Sequence, residues 1–217
     1  MTSEVEICNI GLSNIRAGSI NSFTEASIQA QQCALKYPIL RDRMLKELWG
    51  FNNKIRALSV LSTEVYNWAY AYQYPTDCLK ITRLVGEYEE ISAGSADVIS
   101  RMLDSQLLPV SSYQPTIPYE IFNFDDNKVI ASNEANLRIK YAAKVTDPDL
   151  FSEDFILALG HLLGAEVAIP LVGAELGRQL RTDELQLYKE YANAAAADDM
   201  NESGHEAPLS EYETIRR

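Results

Sequence analysis

The chain has 217 residues, 47% of them hydrophobic, and carries 19 basic against 31 acidic side chains, a formal net charge of −12. That length and apolar content support a real core in one domain, or in a domain with a side module. The acidic balance argues against binding duplex DNA across a broad outer surface, because such binding gains affinity by neutralising phosphates; it leaves open a pore through which DNA slides without adhering.

A first helix is expected from Glu4 to Ala17. Ser3 and Glu6 have capping-box spacing, Val5, Cys8, Leu12 and Ile15 recur at helical intervals, and Gly18 ends the run. A second box, Ser22 with Glu25, opens the next helix, whose apolar side carries Ile28, Leu35 and Ile39. Pro38 removes a backbone donor and is expected to kink it before it resumes through Leu40, Met44 and Leu48 and stops near Trp49-Gly50. Period two then takes over. Trp68, Tyr70, Tyr72 and Tyr74 alternate with Ala69, Ala71 and Gln73, an aromatic face opposite a small one, which suits a strand. Pro75-Thr76-Asp77 turns the chain, and Leu79 and Ile81 begin a second strand.

Residues 86–118 read as an insertion of variable structure, with a short helix over Asp97–Leu108 and a loop bracketed by Pro109, Pro115 and Pro118. Tyr119–Phe124 and Lys128–Ser132 flank Asp125-Asp126-Asn127, a hairpin signal. Leu137, Ile139, Tyr141, Ala143 and Val145 alternate with Arg138, Lys140, Ala142 and Lys144, the cleanest strand pattern in the chain. From Asp149 the pattern is helical, with Ser152 as N-cap and Glu153 and Asp154 in the first turn. Phe155–Val172 is mostly apolar and near the lower length limit for a bilayer. It contains His161, Glu166 and Pro170, and one central charge costs roughly 2.5–3.5 kcal/mol on insertion, so it reads as a buried helix with no membrane contact. Within it Gly160, Gly164 and Ala168 sit four apart, a small stripe for helix packing or a subunit interface. Pro170 and Gly173 interrupt. A last helix runs from Ala174 to Ala197, with Leu176, Leu180, Leu187 and Tyr191 as its apolar side. Beyond Asp198 periodicity is lost in an acidic tail that cannot fold alone, yet Leu209, Tyr212 and Ile215 stand in it at spacing three. The expected organisation is N-terminal helices over 1–50, a β-rich module over 51–146 holding the 86–118 insertion, C-terminal helices over 147–200 and an extended tail over 201–217.

No catalytic constellation stands out. Three cysteines are too few for a disulfide framework and point to a reducing compartment, and the N-terminus lacks the basic and apolar segments of a secretory leader. Cys8 and Cys33 fall within helical stripes and Cys78 opens a strand, so structural roles are expected over a Cys–His nucleophile. His161 reads as a hydrogen-bonded core histidine, and His205 lies in the tail, a poor place for preorganised chemistry. No CxxC, HExxH, Walker loop or GxGxxG occurs, so neither metal nor cofactor has a motif. The basic strand face of Arg138, Lys140 and Lys144 suits an acidic neighbour or solvent more than phosphate, because the sequence shows no other basic patch. The charge is uneven, near neutral at the front and acidic behind: net +2 over 1–60, −6 over 61–150 and −8 over 151–217.

Several stretches in succession resemble the tail tubular protein A family of short-tailed bacteriophages, the head-to-tail adaptor or connector proteins. They are Ile7-Cys8-Asn9-Ile10-Gly11-Leu12 with Ile20 and Phe23; Tyr37-Pro38-Ile39-Leu40-Arg41-Asp42, then Trp49-Gly50-Phe51-Asn52 and Arg56-Ala57-Leu58; Tyr72-Gln73-Tyr74-Pro75-Thr76-Asp77-Cys78-Leu79-Lys80; Leu137-Arg138-Ile139-Lys140-Tyr141 with Phe151, Phe155 and Ala158; and Ala165-Glu166-Val167-Ala168-Ile169-Pro170-Leu171. The 86–118 segment is longer than the family pattern. The resemblance implies an α+β fold that is mainly a bundle of long helices, with a small antiparallel sheet domain beside it and a flexible C-terminal tail. It implies no enzymatic activity, but a ring, usually of twelve copies, between the portal protein and a nozzle protein like tail tubular protein B. The ring continues the channel through which DNA passes, without specific binding. The protein is then made in the host bacterial cytoplasm and resides in the virion tail. In the family the C-terminal segment embraces the portal, which assigns that role here to His205, Pro208, Leu209, Tyr212, Ile215, Arg216 and Arg217. Two alternatives remain beside it: a cell-wall hydrolase carried in the tail, and a nucleic-acid-binding module.

Overall fold

A computed structural model describes residues 2–47, 49–86 and 117–202. They fall into two compact units. One is built from the chain up to Asn52 and from Lys144 onward, and the other is Asn53–Ala143.

The first unit is helical. Helix α1 (Glu4–Asn14) starts on the expected capping box: Ser3 Oγ accepts from Glu6 N at 3.1 Å, and Ser3 N donates to Glu6 Oε2 at 2.7 Å. It ends earlier than expected, because Arg16 (φ 56°) and Gly18 (φ 87°) leave the helical region. Helix α2 spans Ile28–Met44 and is capped by Ser27, not by the Ser22–Glu25 box. Those two residues instead close a local turn in which Asn21 N donates to Glu25 Oε2 at 3.0 Å and Thr24 N to Ser22 Oγ at 3.1 Å, the competing use open to such side chains. Pro38 lies inside α2, which continues through it to Met44.

Helix α3 (Glu153–Val172) is capped by Ser152, whose Oγ accepts from Phe155 N at 3.3 Å. It is apolar on nearly every side, as a helix surrounded by others must be: α1, α2 and α4 (Ala174–Glu202) all pack on it. It is also long and apolar enough to cross a membrane, with a mean hydropathy of 2.0. In the fold Phe155, Leu159, Leu162, Leu163 and Val167 are buried among those helices. Gly173 (φ 99°) breaks α3 from α4.

The second unit is two antiparallel sheets. β1 (Asn53–Ala57), β7 (Arg138–Ala143) and β4 (Cys78–Val85) form one in the order β1-β7-β4. β2 (Val60–Val65), β3 (Trp68–Gln73), β6 (Asn127–Ser132) and β5 (Tyr119–Phe124) form the other in the order β2-β3-β6-β5. Tyr72 and Ile130 from one sheet and Leu84, Ile139 and Tyr141 from the other share one buried cluster, so the alternating strands meet through their apolar faces. On the opposite face of the four-stranded sheet Val65, Ala71 and Val129 pack with Phe122 and Phe124.

The expectation of mainly long helices with a small sheet is therefore corrected. The described residues form an α+β protein with four helices and seven strands in two sheets, and α1 is only 11 residues long. The two strands beyond the five expected are β1 and β2. Their residues are mostly exposed on both sides, so no in–out alternation marks them, and pairing with β7 and β3 makes them strands.

Candidate functional site

Helix α2 turns Ala30, Cys33, Tyr37, Leu40 and Met44 inward. Its other side carries Ile28, Leu35 and Ile39, which stay 63%, 61% and 63% exposed. Steps of seven and four residues place these three on one line of the helix, with Gln31 between the first two and Arg43 a turn beyond the last, both exposed. The apolar row read from the sequence is thus an outer face: α2 has apolar residues on two sides, and Tyr37 and its neighbours take the inner one. Helix α4 has a counterpart. Leu176 and Leu187 are exposed, Leu180 and Tyr191 half-buried, and Asp183, Glu190 and Ala194 are exposed on the same line as the two leucines.

The small stripe of α3 faces α1 of the same chain. A Cβ on Gly11 would meet Gly160 O at 2.6 Å and Gly164 N at 3.0 Å, and one on Gly160 would meet Ile10 Cγ2 at 2.7 Å. At Ala168 the neighbour is Gly177 of α4, whose Cβ would meet Ala168 O at 2.9 Å. Gly11 and Gly177 complete this packing, and the α3 spacing alone did not reveal them.

His161 is buried beside Glu184, with Nδ1 2.8 Å from Glu184 Oε2, and its ring stacks on Tyr191 at 5.1 Å and 10°. Asn14 Nδ2 donates to the same carboxylate oxygen at 3.2 Å. The group ties α1, α3 and α4 together, and Asn14 and Glu184 are partners that sequence reading missed because they are 147 and 23 residues from His161. Near the start of α3, Trp49, Phe51 and Phe151 line an open groove of about 380 Å³ with Glu153, Asp154 and Asp198 also on its wall.

Cys8 and Cys33 are fully buried; a hydrogen bond with Cys33 and burial hold the Cys8 thiol well above its ordinary range, the protonated and unreactive form. Burial likewise pushes Cys78 up, and its Sγ donates to the Tyr74 hydroxyl at 3.3 Å. Partial burial by itself would raise the Asp77 carboxyl, but hydrogen bonds from Lys54 Nζ at 2.9 Å and the Tyr141 hydroxyl at 3.1 Å outweigh it and hold the group below the usual carboxylate range.

The three-stranded sheet carries a basic outer face. Lys140 pairs with Ile55 and Arg83, Arg138 with Ala57 and Val85, and Ala142 with Asn53 and Lys80. Paired residues share a face, so Lys80, Arg83, Arg138 and Lys140 lie together on the side away from the core. Register shifts at Cys78/Lys80 and Ile81/Arg83 put the β4 cations there. Lys144 lies beyond β7 and forms an ion pair with Asp42 at 2.9 Å.

Among the described residues, no three His, Cys, Asp or Glu side chains converge as metal ligands. His205, Pro208, Leu209, Tyr212, Ile215, Arg216 and Arg217 lie outside the described residues, as does the expected short helix over Asp97–Leu108. Comparison of the chain with models of known protein families and with curated proteins finds no match.

Proposed function

We propose that this chain is a structural head-to-tail adaptor of a short-tailed phage virion, one subunit of a ring seated between portal and tail nozzle. The reading starts from the succession of sequence motifs set out above. The observation that carries it is the exposed row Ile28, Leu35 and Ile39 on a well-formed helix. Large aliphatic side chains aligned on a solvent face are the surface a protein buries against another protein. A ring subunit needs two such surfaces, because head-to-tail contacts must close around the circle.

On this reading the ring, of twelve copies, continues the DNA channel and supports assembly of the nozzle beneath it. The tail residues Leu209, Tyr212 and Ile215, with His205, Pro208, Arg216 and Arg217, form the portal-binding segment. A segment that folds only on its partner suits ordered assembly, since it stays unengaged until the portal presents its surface. The function lies in contacts with the portal, the nozzle and other copies rather than in turnover of a substrate.

The test removes residues Asn201–Arg217. The truncated chain is expected to keep its circular dichroism spectrum and melting temperature and to lose capture by the portal protein of its phage in a pull-down. Undiminished capture overturns the role of the tail. Virions that assemble and eject DNA normally without the protein overturn the adaptor reading itself.

A further inference from the structure

The outer rows of α2 and α4 carry apolar anchors at the same spacing and differ in charge. On α2 the exposed row is Ile28, Gln31, Leu35, Ile39 and Arg43; the half-buried Asp42, seven residues from Leu35, lies beside it and is paired with Arg41 and Lys144. On α4 it is Leu176, Asp183, Leu187, Glu190 and Ala194, with no cation in it. Every residue of the two rows is exposed. Steps of three, four and seven keep each row on one side of its helix. Ile28 and Ile39 are eleven residues apart, and so are Leu176 and Leu187; at 1.5 Å per residue each pair spans about 16 Å.

We propose that the α2 face of one copy docks on the α4 face of the next copy of this chain, helices parallel, with Ile28 against Leu176, Ile39 against Leu187 and Arg43 opposite Glu190. This deepens the adaptor reading and rests on it, since it names the two surfaces by which the ring would close. In this register two mismatches arise: Leu35 falls at the level of Asp183, and Asp42, which Arg41 and Lys144 neutralise within its own chain, at the level of Glu190. Charge complementarity selects the occupant. The α2 row ends in Arg43, with Lys46 exposed one turn on, whereas the α4 row carries Asp183 and Glu190. Two α4 rows brought together would oppose acid with acid, and two α2 rows would leave the acidic face uncovered; pairing unlike rows covers both and brings a guanidinium to a carboxylate. Because the two faces differ, each copy offers one of each, and the contact propagates from copy to copy instead of stopping at a dimer.

The test is sedimentation velocity of the full-length chain over a wide concentration range. The wild type is expected to associate beyond a dimer. Ile39→Asp and Leu187→Asp each disable one face at an exposed site, so both should keep the wild-type circular dichroism spectrum while associating at least about tenfold more weakly. Mixed together, the two variants should form a heterodimer and nothing larger, because each retains the face the other lacks. Arg43→Glu and Glu190→Arg should each weaken association, and the double variant should recover it. The proposal is overturned if the wild type stays monomeric throughout, if Leu187→Asp assembles like wild type, or if the mixture associates no better than either variant alone. Any of these leaves the adaptor reading standing on its own test with virions, whereas normal virions lacking the protein would remove that reading even if the two faces proved to dock.

Discussion

At Gly11 the α1 backbone approaches α3 so closely that one extra carbon has no room. An added Cβ would lie 2.6 Å from Gly160 O and 3.0 Å from Gly164 N, both backbone atoms that cannot swing aside. Gly11→Ala should therefore push the helices apart and cost about 1–3 kcal/mol, the usual range for overfilling a packed interior. Urea unfolding followed by the helical circular dichroism signal measures it; an unchanged midpoint would mean that α1 does not sit where Gly11 places it. The same packing carries buried polar groups. Asn14, His161 and Glu184 satisfy one another, as buried polar atoms must. The histidine was legible as a core residue from its place in an apolar helix. Its partners were not, since nothing in the spacing of Asn14 or Glu184 distinguishes them from surface residues.

Among the elements, the β5–β6 hairpin turns on Asp125 and Asp126, which both have positive φ, 48° and 61°. Two consecutive residues of that kind make the mirror-image turn that suits the strand twist, and Asn-Gly fills it better than Asp-Asp. Replacing Asp125 by Asn and Asp126 by Gly should stabilise the β-rich unit by roughly 1 kcal/mol, by relieving left-handed strain at side-chain-bearing residues. A higher melting temperature for the β signal supports this, and a lower one refutes the turn geometry. This hairpin was legible because dense turn formers stand between two β-prone runs. β7 was legible because apolar residues alternate along its core face, and β3 because an aromatic face alternates with a small one. β1 and β2 were not, being exposed on both sides. The basic outer face was legible only in part: alternation exposes Arg138 and Lys140, while Lys80 and Arg83 reach that face through register shifts in β4, and a shift of one residue reverses the side on which a side chain stands.

For the whole molecule, the order of the chain suggests an excision. Asn53 pairs with Ala142 across β1 and β7, and partnered residues in antiparallel strands lie roughly 5 Å apart, so the chain leaves the helical unit and returns to it at neighbouring points. That unit holds its own core, with α3 buried by α1, α2 and α4. Replacing residues 53–143 by a linker of about four Gly and Ser residues, a span such a chain covers easily, should leave a helical protein that melts cooperatively; a broad, non-cooperative melt would show that the helices depend on the excised part. Local rules made much of this molecule readable in advance. Ser3 with Glu6 and Ser152 start helices because a cap acts within one turn, and the Trp68–Tyr74 and Leu137–Val145 alternations make strands because side chains on a strand change sides at every residue. Which apolar surfaces end up covered is a different matter. Ile28, Leu35 and Ile39 form an apolar side that the sequence shows plainly, but α2 presents two apolar sides and only one meets the rest of its unit. Burial depends on what another part of the chain brings into contact, and that is decided when the helices assemble, not within α2.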